Sequence, residues 1–498
     1  MMIGLASINL TANALSAALG LLGVFVFTRL FAPHEYGVYL LGVGFASVVS
    51  TFLAGWFRNL ILSEHARDNG ADIRGVVLHG YLLCCLTAPA AYGLGRLVGL
   101  DAAPALAAVS LAIAVGLFEL TQDLARARLR ALTALKGTLA RATSSLCLGV
   151  TVAFVAPEGS FLLSSAALAC VVAVIVQWST TWRGTKSKFE TPIRSVALQG
   201  LPLTLSLTLL AISSVTDRFM IANLIGSADT GRYIAGLDLV RQTLMMPAMS
   251  AAAAFIPMAV QIHASRGRAA VRSHLAECVE LLFGVTLPAC LGFAAISPHI
   301  ANVVFGADFR EVAAQTMPIL AVAVVFQILT QQYLHSSFLL SGRNSFYLIN
   351  IGAIIAANVA LSYVFVSDYG PLGAAWARLC ADAFGFFVAL ALSRRAFPVP
   401  MPIGRLTLTM IAGLLMASVV VATDRILHVS DFVACVVLAA AGMTSYLALC
   451  WLLDICHARR RLLAAFAFSR QRFANIAARS ARQWKRSIAT AVRRHVEE

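Results

Sequence analysis

The chain of 498 residues is 59% hydrophobic and only 12% charged, with a formal net charge of +15 and a mean hydropathy of +0.82. About a quarter of the residues of a soluble domain are charged, so a water-soluble globular fold is excluded. Apolar runs of roughly 20 residues recur where a membrane barrel would need alternating strands of about 10, and the fold class is therefore all-α integral membrane.

In chain order, spans are expected at Ser7–Phe31, Tyr36–Phe57, Val76–Leu100, Pro104–Gln122, Leu139–Ala156 and Phe161–Trp182. A second set follows at Val196–Asn223, Tyr233–Gln261, His274–Ser297, Gln315–Leu339, Tyr347–Val366 and Leu372–Ser393. Leu406–Leu427 and Phe432–Leu453 complete about fourteen transmembrane helices. No Lys or Arg precedes Arg29 and the first apolar segment runs a full span, so it reads as a retained helix rather than a signal peptide. The ten cysteines show no C-x-x-C and no His at metal spacing, and are expected to be small buried hydrophobes; no metal and no cofactor is implied.

Arg and Lys fall after every even-numbered span, as with Arg58, Arg126, Lys136, Arg141, Lys186, Arg268 and Arg394. Short cytoplasmic loops retain such residues, so both termini are expected to be cytoplasmic in a multi-pass membrane protein. After the last span comes an Arg-rich segment in which Phe466, Phe473 and Trp484 recur at helical spacing. A basic amphipathic tail lying on the anionic leaflet fits this pattern, and nucleic acid does not.

One motif occurs twice at a fixed offset. Leu30-Phe31-Ala32-Pro33-His34-Glu35-Tyr36-Gly37-Val38-Tyr39 is matched by Leu224-Ile225-Gly226-Ser227-Ala228-Asp229-Thr230-Gly231-Arg232-Tyr233, with Gly42 and Gly236 beyond. Each copy reads as a tight turn between membrane helices. Pro33 and Gly226 act as breakers, and Glu35 and Asp229 sit at the positive end of the following helix.

These turns, with Asp217-Arg218-Phe219, Val304-Phe305-Gly306 and Gly370-Pro371-Leu372-Gly373, resemble the Wzx-type polysaccharide flippases of the multidrug, oligosaccharidyl-lipid and polysaccharide exporter (MOP) superfamily. The resemblance covers spans 1 to 12. It implies two pseudo-symmetric six-helix lobes, arranged as the V of the multidrug (MATE) exporters, plus two extra helices. The division would be 1–194 for the N-lobe, 195–396 for the C-lobe, 397–455 for helices 13 and 14, and 456–498 for the tail. It further implies alternating-access transfer of a polyprenyl-diphosphate-linked oligosaccharide to the outer leaflet. The implied partners are that lipid-linked oligosaccharide, the membrane, and a polysaccharide polymerase with its export machinery.

A charge at mid-bilayer costs about 2.5–3.5 kcal/mol and usually faces a cavity or a partner. Asp238 and Arg241, spaced i,i+3, are therefore cavity candidates, as are Arg378 and Asp382 at i,i+4 and the adjacent Asp217 and Arg218. Arginine matches phosphate oxygens with its planar fork. Gln327, Gln331 and His335 form one polar face suited to sugar hydroxyls or helix packing. Glu119 and Asp123 read as solvated, and Glu277 and Glu280 as the start of helix 9. The resemblance implies several cavity arginines on the first two helices of lipid II flippases, a pattern from which this chain departs, with only Arg29 and Arg58 there. A drug or cation exporter would want unpaired cavity acids and aromatic rings, which helices 1 and 2 are not expected to supply. A membrane polymerase or ligase would want a large catalytic outer loop, which 298–314 does not resemble.

Overall fold

The computed structural model describes residues 2–65, 73–128, 130–183, 193–455 and 459, and every regular element among them is helical. The first lobe contains α1 (Met2–Leu30), α2 (Pro33–His65), α3, α4 (Ala102–Ala127), α5 (Ala131–Val155) and α6 (Gly159–Thr181). Helix α3 is the pair Arg74–Cys85 and Ala88–Leu97, bent by 45° where a proline opens the second half. The second lobe begins with α7 (Ile193–Ile225) and the long run Ser227–Val304.

Two glycines divide runs of helix that are otherwise continuous. Gly267 (φ 78°, ψ −172°) splits Ser227–Val304 into α8 (227–266) and α9 (268–304). Gly370 (φ 56°, ψ −137°) splits Asn344–Arg395 into α11 (344–369) and α12 (371–395). Both sit at positive φ, where a side chain would be strained. Between them lies α10, which runs from Ala307–Ile328 through the π-helical turn Leu329–Leu334 into His335–Ser341. Helices α13 (Ile403–Ile426) and α14 (Asp431–Leu453) follow.

Ten helices among the described residues are long and apolar enough to cross a membrane, or eleven with the bent pair taken as one span. The expected fourteen exceed this because two runs continue across a glycine and only Ala17–Leu30 of α1 is counted as apolar. The basic amphipathic tail lies outside the described residues apart from Arg459.

Two large cores form. One is built from residues between Leu41 and Trp182, and the other from residues between Ile221 and Phe397 together with Phe27, Phe31, Tyr36, Leu40 and Leu162. The top of α1 and α2 thus packs into the second lobe. A small third cluster, Val420, Ala434 and Leu438, joins α13 to α14 against Ala295 and Ile296 of α9. Polar contacts fasten the same pair of helices. Arg405 binds Glu280 at 2.9 Å, Tyr446 donates to the Gly284 carbonyl at 2.6 Å, and His299 lies between Asp424 (2.8 Å) and Asp431 (2.7 Å). Glu280 therefore lies well inside α9, not at its start as expected. Of the nine cysteines among the described residues all are free, and Cys147 and Cys380 are exposed rather than buried.

The two copies of the repeated turn touch one another. A Cβ placed on Gly37 would lie 1.9 Å from the Ser227 carbonyl oxygen, and one on Gly231 would lie 2.4 Å from that of Pro33. A third contact sets Gly306 against Thr28, whose carbonyl oxygen lies 2.1 Å from a Cβ built there. Arg29 completes this seam by donating to the carbonyls of Val304 (2.6 Å) and Val303 (2.9 Å) at the end of α9. Glu35 accepts the Gly159 N–H at 2.7 Å, so it caps α6 rather than its own helix.

Candidate functional site

A polar cavity of about 320 Å³ is walled by α1, α2, α4, α5 and α6 and bounded on its far side by Asp238 and Gln242 of α8. Its size falls in the range of ligand pockets, about 300–1,000 Å³. Asp238 and Gln242 are one turn apart and so share a helix face, while Arg241 points elsewhere. Gln242 donates to the Ala17 carbonyl at 3.3 Å, and Gly20 makes room for it, since a Cβ there would lie 2.7 Å from Nε2.

Arg141 is the cavity's cation. It sits ten residues into α5, about 15 Å along the axis at 1.5 Å per residue. Its guanidinium lies 5.1 Å from the Phe118 ring centroid, its Nε is buried without a partner, and it makes no salt bridge among the described residues. It is grouped with the loop cations in the sequence because the expected span starts at Leu139, eight residues late, which puts Arg141 only two residues from its end. The spacing of Thr138, Arg141 and Ser145 on one helix face is the signal that could have found it.

Aromatic rings supply much of the remaining wall. Phe27, Tyr36 and Tyr39 line the cavity, and the two tyrosines stack at 5.8 Å with 26° between planes. Helices 1 and 2 therefore do provide aromatic lining, contrary to expectation: two turns of helix place Tyr36, Tyr39, Leu40 and Val43 on the inward face.

Asp238 is not paired with Arg241. Its Oδ1 is 2.5 Å from Nη2 of Arg218, on α7. Arg218 is buried and Asp238 is about one-third exposed, so the carboxylate forms the cavity wall and the guanidinium backs it. The adjacent Asp217 points into the second lobe, where it accepts from Tyr233 at 3.2 Å and lies 3.7 Å from Arg378. Arg378 binds Asp382 at 2.8 Å and donates to the Ser213 carbonyl at 3.2 Å. Arg241 donates to the Ser214 carbonyl at 3.0 Å and leaves Nη2 without a partner. Asp217, Arg378, Asp382 and Arg241 thus tie α7, α8 and α12 together, away from the polar cavity.

Gln331, His335, Arg378 and Asp382 do meet around a second space, but its volume is about 10 Å³, room for a single water. His335 Nε2 is 2.9 Å from Asn350 Oδ1, and Asn350 donates in turn to the Gly385 carbonyl at 2.8 Å, so the histidine is held in a closed network. Glu119 and Asp123, expected to be solvated, both bind Arg58, at 2.8 and 2.7 Å, and join α2 to α4. No group of three or more His, Cys, Asp or Glu among the described residues could hold a metal.

Comparisons with known proteins bear on this arrangement. The family model described as "Polysaccharide biosynthesis protein" matches residues 26–314. No curated protein matches the sequence. Among solved structures, the lipid II flippase MurJ in an inward closed conformation superimposes with a TM-score of 0.72 at 15% identity, covering 89% of this chain and 98% of that one. An inward-facing multidrug resistance MATE family transporter of the MOP superfamily gives 0.54 at 15% identity, covering 78% and 95%. These likenesses establish the fold: an all-helical architecture shared with these transporters.

Proposed function

The chain belongs to the polysaccharide biosynthesis protein family, and from that premise we propose that it is a flippase for a polyprenyl-diphosphate-linked oligosaccharide, working by alternating access between residues 1–194 and 195–396. It would act in the bacterial inner membrane with both termini cytoplasmic, feeding a polysaccharide polymerase and export machinery. The observation that carries this reading is Arg141. An arginine deep in a membrane helix, without a carboxylate partner and lining a cavity, is costly unless an anion comes to it. A diphosphate is such an anion, and the guanidinium fork matches its oxygens.

The surroundings suit the rest of the ligand. Tyr36 and Tyr39 offer ring faces to sugars, and Asp238, Gln242 and Ser145 offer hydrogen bonds to hydroxyls. Asp238 is neutralised by Arg218, so the cavity does not repel a phosphate. A cation exporter would need the opposite balance, an unpaired acid and no free arginine.

The test is reconstitution into proteoliposomes with a polyprenyl-diphosphate oligosaccharide. Arg141→Ala is expected to reduce flipping by roughly 10–150-fold, as loss of a charge-assisted contact of about 1.5–3 kcal/mol predicts. Arg141→Lys should retain part of the activity. Wild-type rates in the alanine variant would remove the diphosphate assignment, and transport of a lipophilic cation in place of the glycan lipid would favour the exporter.

A further inference from the structure

The second lobe holds a cavity of its own. The polar cavity is walled by α1, α2, α4, α5, α6 and α8; α7, α8, α10 and α11 enclose a second one, about 680 Å³ and roughly twice as large. Their chemistry differs. The second is walled by Leu201, Leu205, Leu207, Ile256, Phe338 and Leu348. Of its polar lining residues, His335 is bonded to Asn350 at 2.9 Å and the Ser336 hydroxyl to the Tyr333 carbonyl at 2.6 Å, while Ser206, Gln331, Asn344 and Tyr347 complete the polar part of the wall. Most of what it presents to a ligand is hydrocarbon.

Position and opening differ as well. The polar cavity lies toward the repeated turns, next to Phe27, Tyr36 and Tyr39, whereas the apolar one lies at the opposite end, by the start of α7 and of α11. Its mouth is lined by Leu201, Leu205, Leu339 and Leu348, which are 37–55% exposed. The π-helical turn Leu329–Leu334 runs directly into this wall, and such turns inside α-helices are frequent at functional sites.

We infer that the second cavity is a prenyl-chain site: the apolar C-lobe cavity between α7, α8, α10 and α11 holds the isoprenoid units of the substrate while the N-lobe cavity takes the charged head. This rests on the flippase reading. The two cavities divide into a charged, aromatic one and a largely hydrocarbon one, which is the division within a glycan lipid itself. A methyl-branched olefinic chain matches a broad space bounded by leucine methyls and the Phe338 and Tyr347 rings. The chain already lies in hydrocarbon in the bilayer, so the site acts by registering the chain rather than by extracting it.

The experiment uses the full chain in phosphatidylethanolamine and phosphatidylglycerol vesicles, with a diazirine-bearing polyprenol that lacks phosphate and sugar. Labelling is expected within residues 201–207 and 331–348. Leu205→Trp with Leu348→Trp should lower it about tenfold, and Arg141→Ala should leave it unchanged. Melting temperatures identify a misfolded variant, for which Leu339→Trp at the rim substitutes, and wild-type labelling decides by itself where neither folds. Labelling confined to other helices, or a diazirine phospholipid that labels this cavity and is not displaced by excess polyprenol, would overturn the proposal. Polyprenol labelling here by a protein that fails to flip any glycan lipid would instead remove the flippase reading and leave the site standing.

Discussion

Gly37→Ala is expected to abolish most export while leaving the protein in the membrane. The added methyl would sit 1.9 Å from the Ser227 carbonyl oxygen and 3.0 Å from the Gly231 nitrogen. Both are backbone atoms on the opposing turn, so no rotamer change relieves the contact and the two turns must move apart. Overpacking of this kind costs about 1–3 kcal/mol, roughly a 5–150-fold bias against the closed seam. Gly231→Ala should act alike, because its Cβ meets Pro33 and Gly37 across the same junction. The measurement is labelling of a Ser227→Cys reporter by a membrane-impermeant maleimide, expected to be slow in the parent and fast beside either alanine. Slow labelling with full export in both variants would show that the turns do not need to meet.

That seam was half legible in the sequence. The repeat of Pro33 to Tyr39 in Ser227 to Tyr233 was visible because glycine, an acid and tyrosine recur at one offset, and the turns formed where expected, after Leu30 and after Ile225. What the repeat could not disclose is that its copies face each other, since pairing across two lobes leaves no local periodicity. Helix breaks at Gly267 and Gly370 were equally legible, because polar or glycine-proline punctuation interrupts apolar runs there. Charges were harder to read. Arg141 looked like a topology signal because a predicted helix end shifted by eight residues converts a cavity residue into a loop residue. Arg58 was assigned only a topological role, yet it is the partner of Glu119 and Asp123. Asp238 was placed at the cavity by its position, but its partner, Arg218 on α7, was not the i,i+3 neighbour that a helical wheel favours. Which of several intramembrane arginines has a carboxylate within reach is a tertiary fact.

Arg378 is where that distinction has the largest consequence. Both carboxylates around it are almost fully buried, Asp382 at 4% and Asp217 at 0% exposure, and Arg378 itself is 3% exposed. Arg378→Ala would leave Asp217 held by the Tyr233 hydroxyl and the Arg218 backbone N–H, and would take from Asp382 the guanidinium that now binds it. Removing one partner of a buried pair destabilises by about 3–5 kcal/mol, a large share of a typical stability of about 5–15 kcal/mol. The expected result is a lower melting temperature and reduced membrane abundance, with any loss of export following from the loss of folded protein. Arg378→Met combined with Asp382→Leu removes charge in balance at similar volume and should recover most of the stability lost in the single variant. Thermal unfolding of the purified variants in detergent, alongside their export, separates structure from ligand contact. An Arg378→Ala protein as abundant and heat-resistant as the parent, yet unable to export, would move this arginine from the scaffold to the substrate, into a space that would have to open well beyond its present 10 Å³.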